Sequence, residues 1–111
     1  MTDAIQVLTT LPNREEAQRL AHALVERRLA ACVQVAGPIT STYRWQGQVE
    51  AAEEFLCIIK TLHGHYPLLE AAIRELHPYA VPEILALPIV AGHQPYLDWL
   101  KGEVAPGGEQ D

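Results

Sequence analysis

The chain has 111 residues, 49% hydrophobic and 20% charged, which fits one globular domain and excludes a disordered segment as the whole. With 14 acidic and 8 basic side chains the formal net charge is -6, a sign that repels phosphate backbones and argues against nucleic-acid partners. No apolar run approaches the roughly 20 residues of a membrane span, the first residues lack a secretion pattern, and two cysteines make no disulfide framework, so a cytoplasmic protein with no membrane partner is expected.

Ala4 to Thr10 is apolar and β-branched, as a strand requires, and Leu11-Pro12 ends it. Asn13 then starts a helix: Asn is a good N-cap, and Glu16 stands three residues on, as in a capping box. Ala17, Leu20, Ala21, Leu24 and Val25 form one apolar helical face, and Arg27 and Arg28 fall in its expected last turn. Ala31 to Trp45 reads as a long strand broken by Gly37-Pro38, a pair tolerated only at a bulge or an edge. Gln46-Gly47 suits a hairpin turn, and Val49 to Thr61 returns as the second arm. That arm starts rich in glutamate and becomes apolar on both faces at Phe55, Leu56, Cys57, Ile58 and Ile59.

His63-Gly64-His65 reads as a loop, and Pro67 opens a second helix with Leu69, Ala72, Ile73 and Leu76 as its buried stripe. Pro78 stops that helix. Val81 to Val90 holds a last core strand, and Gln94 to Lys101 a short terminal helix. A domain over residues 1–101 and a disordered tail over 102–111 are expected, the tail being Gly, Pro and acid. The order βαββαβ plus a helix is the ferredoxin-like pattern, an α+β sandwich with two helices on one face of a four-stranded sheet. Strands apolar on both faces need a second covering layer, and another copy of the same sheet is the simplest one, so a homo-oligomer is expected.

Several residues carry chemistry. His63 and His65, two apart, could meet one ion, but a two-ligand signal is weak and they read mainly as surface loop histidines. Cys32 is either an inert buried thiol or, at a subunit boundary, a soft copper ligand; Cys57 reads as core. The stretch His77-Pro78-Tyr79-Ala80-Val81-Pro82-Glu83-Ile84, stiffened by two prolines, is a ligand site or a structural corner. Lys60 ends an apolar strand, where Glu83 would suit its ammonium. Tyr43 and Trp45 on the hairpin, with Tyr96 and Trp99 on the last helix, read mainly as packing surface. No Gly-x-Ser-x-Gly, P-loop or Gly-x-Gly-x-x-Gly motif occurs.

The chain resembles the CutA family of divalent-cation tolerance proteins through six blocks in order. These are Asn13 to Ala17, Leu29 to Val33, Tyr43 to Gly47, Ile59 to Thr61, His77 to Tyr79 with Val81 to Ile84, and Tyr96 to Trp99. In order and spacing, the resemblance covers nearly the whole chain from Ile5 to Leu100. Ala80 departs from a commonly acidic position and Gln34 from a common Asn, while His63 and His65 fall in a variable segment and inherit nothing. The resemblance implies a ferredoxin-like fold assembled as a homotrimer, tolerance of copper and other divalent cations, and no established enzymatic activity. It implies an intersubunit pocket near Trp45, Lys60, His77, Tyr79 and Glu83, with Cys32, His77 and Glu83 as metal ligands for weakly bound Cu(II) or a similar ion. The alternative is a trimeric module resembling PII signalling proteins, binding a small anionic metabolite through Lys60 and Arg44. An enzyme using Lys60, His77, Tyr79 and Glu83 for acid–base work is the least favoured reading, and no catalytic residue is assigned.

Overall fold

The computed structural model describes residues 1–105. Its elements are β1 (Ala4–Leu11), α1 (Arg14–Glu26), β2 (Cys32–Trp45), β3 (Gln48–Leu62), a 3-10 turn (His63–His65), α2 (Tyr66–Leu76), β4 (Leu85–Pro88) and α3 (Gln94–Glu103). The sheet order is β2-β3-β1-β4, and all three pairings are antiparallel. The fold is a mixed α/β one with a four-stranded antiparallel sheet and three helices.

Local chemistry explains the boundaries. The Asn13 side chain accepts from the Glu16 backbone N–H at 2.8 Å, capping α1. Gln46 and Gly47 have φ of 51° and 79°, the two positive angles that let a two-residue turn match the strand twist. Gly37-Pro38 lies on edge strand β2, where its register with β3 shifts between Ala36 and Ile39. At Gly37, with φ +150°, an added Cβ would sit 2.8 Å from Phe55 Cδ2. The hairpin strands have 14 and 15 residues. At about 3.3 Å each they account for the molecule's 44 Å long dimension.

Side chains alternate along the strands, so the sheet has two distinct faces. One packs under α1 and α2 and holds the core of Val7, Leu11, Leu20, Leu24, Cys57, Ile59, Leu69 and Ile73. Burial pushes the Cys57 thiol up to about 11, so it is an inert core group. The other face is read from the pairs Gln34, Ile58, Leu8 and Leu85 in one row and Cys32, Lys60, Gln6 and Leu87 in the next. The last helix covers only its end, where Leu100 and Val104 pack with Ala4 and Ala31 against Leu62. Leu8, Leu56 and Ile58 remain half-buried, and Leu85 is 56% exposed.

Four sequence expectations change. The last strand is short, confined to Leu85–Pro88, and exposed at every residue, because it forms an edge that no helix of this chain covers. α1 ends at Glu26, so Arg27 and Arg28 lie beyond it; Arg28 turns with φ 58°. His63-Gly64-His65 is a helical turn in which His65 is only 3% exposed, its ring bonded to the Ala105 carbonyl, and is no surface loop residue. The expected tail begins too early: Gly102 and Glu103 belong to α3, Val104 is buried, and Ala105 donates to the Arg28 carbonyl at 2.8 Å. The rest of that expected tail, residues 106–111, lies outside the described residues.

Candidate functional site

An open cleft of about 840 Å³ lies where the outer half of the β2–β3 hairpin meets the connection from α2 to β4. Tyr43 and Trp45 of β2, Glu50 and Glu54 of β3, and Tyr79 and Glu83 of the connection supply its functional side chains. It carries three carboxylates and no basic group among its lining residues, which suits positive charge and opposes anions.

A short hydrogen-bonded chain builds the inner wall. The His77 Nε2–H donates to the Thr10 carbonyl at 2.8 Å, and His77 Nδ1 accepts the Tyr79 backbone N–H at 3.1 Å. A carbonyl can only accept and an amide N–H can only donate, so the ring is the neutral Nε2–H tautomer with neither nitrogen free. Burial lowers its pKa below the usual histidine value, against smaller opposing contributions from the Thr10 carbonyl, Glu54 and Glu16. The His77 and Tyr79 rings lie 4.9 Å apart. With its backbone so held, Tyr79 donates its hydroxyl to Glu54 Oε2 at 2.8 Å. Burial first, then the Glu54 carboxylate, push the Tyr79 phenol up to about 12, so it stays a donor. Glu54 itself is only 8% exposed.

The structure brings together Trp45, Tyr79 and Glu83, with His77 behind them as the group that positions Tyr79. Lys60 is elsewhere, on the Cys32–Lys60–Gln6 row, donating to Gln34 Oε1 at 2.6 Å in place of the expected Glu83. Cys32 shares that row, whose β1 member Gln6 is four residues from Thr10, where His77 is anchored; at about 3.3 Å per residue the two rows lie roughly 13 Å apart along the strands, and Cys32 is two strands away from β1 as well. Near Cys32 stands Tyr96, whose phenol is raised by burial and then by the neighbouring thiol. Among the described residues no three His, Cys, Asp or Glu groups gather closely enough to hold a metal ion. Neither Lys60 nor Arg44, the charges of the anionic-metabolite reading, lines the cleft.

Glu50 and Glu54 were not singled out by sequence reasoning. The signal for Glu54 was there: alternation puts it on the same face as Leu56 and Ile58, a carboxylate at the start of an apolar row. Its burial comes from the Tyr79 connection folding over it, which no local pattern foretells.

The family model described as CutA1 divalent ion tolerance protein matches residues 5–103. The divalent-cation tolerance protein CutA of Thermus thermophilus is 52% identical over 95 residues, covering 86% of this chain and 92% of that protein. Human protein CutA is 46% identical over 92 residues, 83% of this chain, which spans 51% of the human protein's length. A solved structure of the Thermus thermophilus divalent cation tolerance protein has a TM-score of 0.90 at 48% identity, covering 92% of this chain and 99% of that one. The Oryza sativa CutA1 crystal structure has a TM-score of 0.91 at 41% identity, covering 93% and 94% respectively. By the matched model and these relatives, the chain belongs to the CutA1 divalent ion tolerance family.

Proposed function

We propose that the chain works as a homotrimer in divalent-cation tolerance, holding copper or a similar divalent ion weakly at the boundaries between copies in the cytoplasm. The uncovered sheet face carries the proposal: Leu8, Leu56, Ile58, Leu85 and Leu87 present an apolar surface that α3 only partly covers. Copies meeting through that face would bury it. The separation of Cys32 from Glu83 within one chain supports an ion site shared between chains, with the thiolate supplying soft ligation and the carboxylate charge. His77 enters that ligand set only by giving up one of its two hydrogen bonds, so its role in this reading is to set the pocket wall. We read the protein as a binder and not a catalyst, because the phenol held near 12 and the fully engaged imidazole are poor proton carriers at neutral pH.

Light scattering at micromolar concentration is expected to give three times the 12.3 kDa chain mass. Calorimetry with Cu(II) is expected to show binding that weakens in a Cys32→Ala/Glu83→Gln variant. A monomeric mass defeats the assembly; absent Cu(II) binding, or binding unchanged in the variant, defeats the ion site.

A further inference from the structure

We propose that the hairpin tip of one copy, led by Trp45, docks on the Tyr96 and Trp99 face of α3 in the next copy, so that every copy gives one surface and receives the other. This rests on the homotrimer reading and names which parts of the chain meet in it.

Symmetry asks for two different surfaces. A contact in which both copies use the same patch closes as a pair. A ring of three closes through head-to-tail contacts, one patch on each copy meeting a different patch on its neighbour. Among the described residues, the exposed Tyr and Trp side chains fall in just two patches. The first is the hairpin tip, where alternation along β2 puts Tyr43 and Trp45 on one side, with Gln48 opposite Trp45. The second is on α3. Leu97, Leu100 and Val104 turn inward onto the end of the sheet. That leaves Tyr96 and Trp99, one helical turn apart, facing outward at 42% and 45% exposure with their rings 5.4 Å from each other. Uncharged aromatic side chains of this kind are what the centre of an interface buries.

The two patches lie at opposite ends of the uncovered sheet face. Alternation along β3 makes Gln48, and with it Trp45, continuous with Leu56 and Ile58 on that face. Tyr96 stands beside Cys32 at the other end. Between them β3 runs 15 residues from the tip to Leu62, where α3 packs, roughly 45 Å at strand spacing. A tip therefore cannot reach α3 of its own chain, and a neighbour lying head to tail over the uncovered face brings the two patches together.

The test is cross-linking of the full chain in a Cys32→Ser background, which leaves only the core thiol Cys57, pushed up to about 11 by burial and unreactive. Gln48→Cys stands beside Trp45, and Glu103→Cys stands one helical turn beyond Trp99; both positions are exposed and both aromatic patches stay intact. With a flexible bismaleimide the double variant is expected to run as covalent dimers and trimers on a denaturing gel, and each single variant as the 12.3 kDa chain. A second readout uses Trp45 as the sole tryptophan of a Trp99→Phe chain. Its emission is expected to lie at shorter wavelength than in a Trp99→Ala/Tyr96→Ala chain, with both folds checked by circular dichroism. A trimeric mass without cross-links in the double variant overturns the docking and leaves the trimer standing. So does cross-linking by Gln48→Cys alone, which would mean tip meeting tip, or Trp45 emission equal in the two chains. A monomeric mass overturns the docking and the trimer together.

Discussion

His77 is a titratable group used as a bracket. Both nitrogens are engaged and the ring is buried neutral, so protonation must break the bond to the Tyr79 amide. Its folded pKa lies below the ordinary 6.5, chiefly through burial. The folded state therefore binds fewer protons than the unfolded one just below pH 6.5, and stability from this group is complete above that value and falls as pH drops through it. Melting curves from pH 8 to pH 5 are expected to show a loss that is smaller in His77→Asn; equal losses in both proteins would assign the effect to other groups. Gly37 has an equally specific reason for its identity. Its φ of +150° is one that side-chain-bearing residues rarely adopt, and Phe55 occupies the space a Cβ would need. Gly37→Ala is expected to cost about 1–3 kcal/mol in urea unfolding, from strain and overpacking together.

At the scale of elements, α3 is held by its C-terminal end. The Arg28 guanidinium donates to the carbonyls of Gly102 at 2.9 Å and Glu103 at 3.1 Å, groups that lack acceptor-satisfying donors within the helix. A cation there also opposes the negative end of the helix dipole. The Arg28 carbonyl in turn receives the Ala105 N–H. Arg28→Ala is expected to speed amide exchange in the last turn of α3 and to lower stability by about 1–2 kcal/mol; exchange unaltered there would show that Leu100 and Val104 packing alone holds the helix. The hairpin has the opposite character. Its outer half has little beneath it, and its tip exposes Trp45 at 52% and Val49 at 66%. Such surface on a projecting arm suits contact with another copy.

At the scale of the molecule, one sheet face is finished and the other is not. Helices α1 and α2 close the first around Val7, Leu11 and Ile59. The second has apolar residues in register across three strands, Ile58, Leu8 and Leu85, with Gln34 beside them on β2 and only its Ala4–Leu62 end covered. In the proposed trimer, Ile58→Asp is expected to shift the mass by light scattering toward 12.3 kDa while far-UV circular dichroism stays close to that of the parent. A charge at the centre of that face is tolerated facing water and not within an interface. A variant that stays trimeric would place the contact elsewhere.

The amino-acid sequence by itself determined the element order and most boundaries, because those follow from neighbours along the chain. The Asn13 cap, the Gln46-Gly47 turn, the Gly37-Pro38 bulge and the double-sided apolar run of β3 are all local patterns. It also marked the connection from His77 to Glu83 as either a ligand site or a structural corner. What only the tertiary structure decided is which of those side chains meet. Lys60 looked like a companion of Glu83, yet strand register sets it beside Cys32 and Gln34 at the other end of the sheet. Glu54 was one of several glutamates at the start of β3, yet the Tyr79 connection folds over it and buries it. His65 looked like a surface loop histidine, yet the segment after α3 covers it. Contacts between residues 25 or 40 positions apart depend on how elements dock, and docking is governed by the sum of many burials and not by the residues in contact.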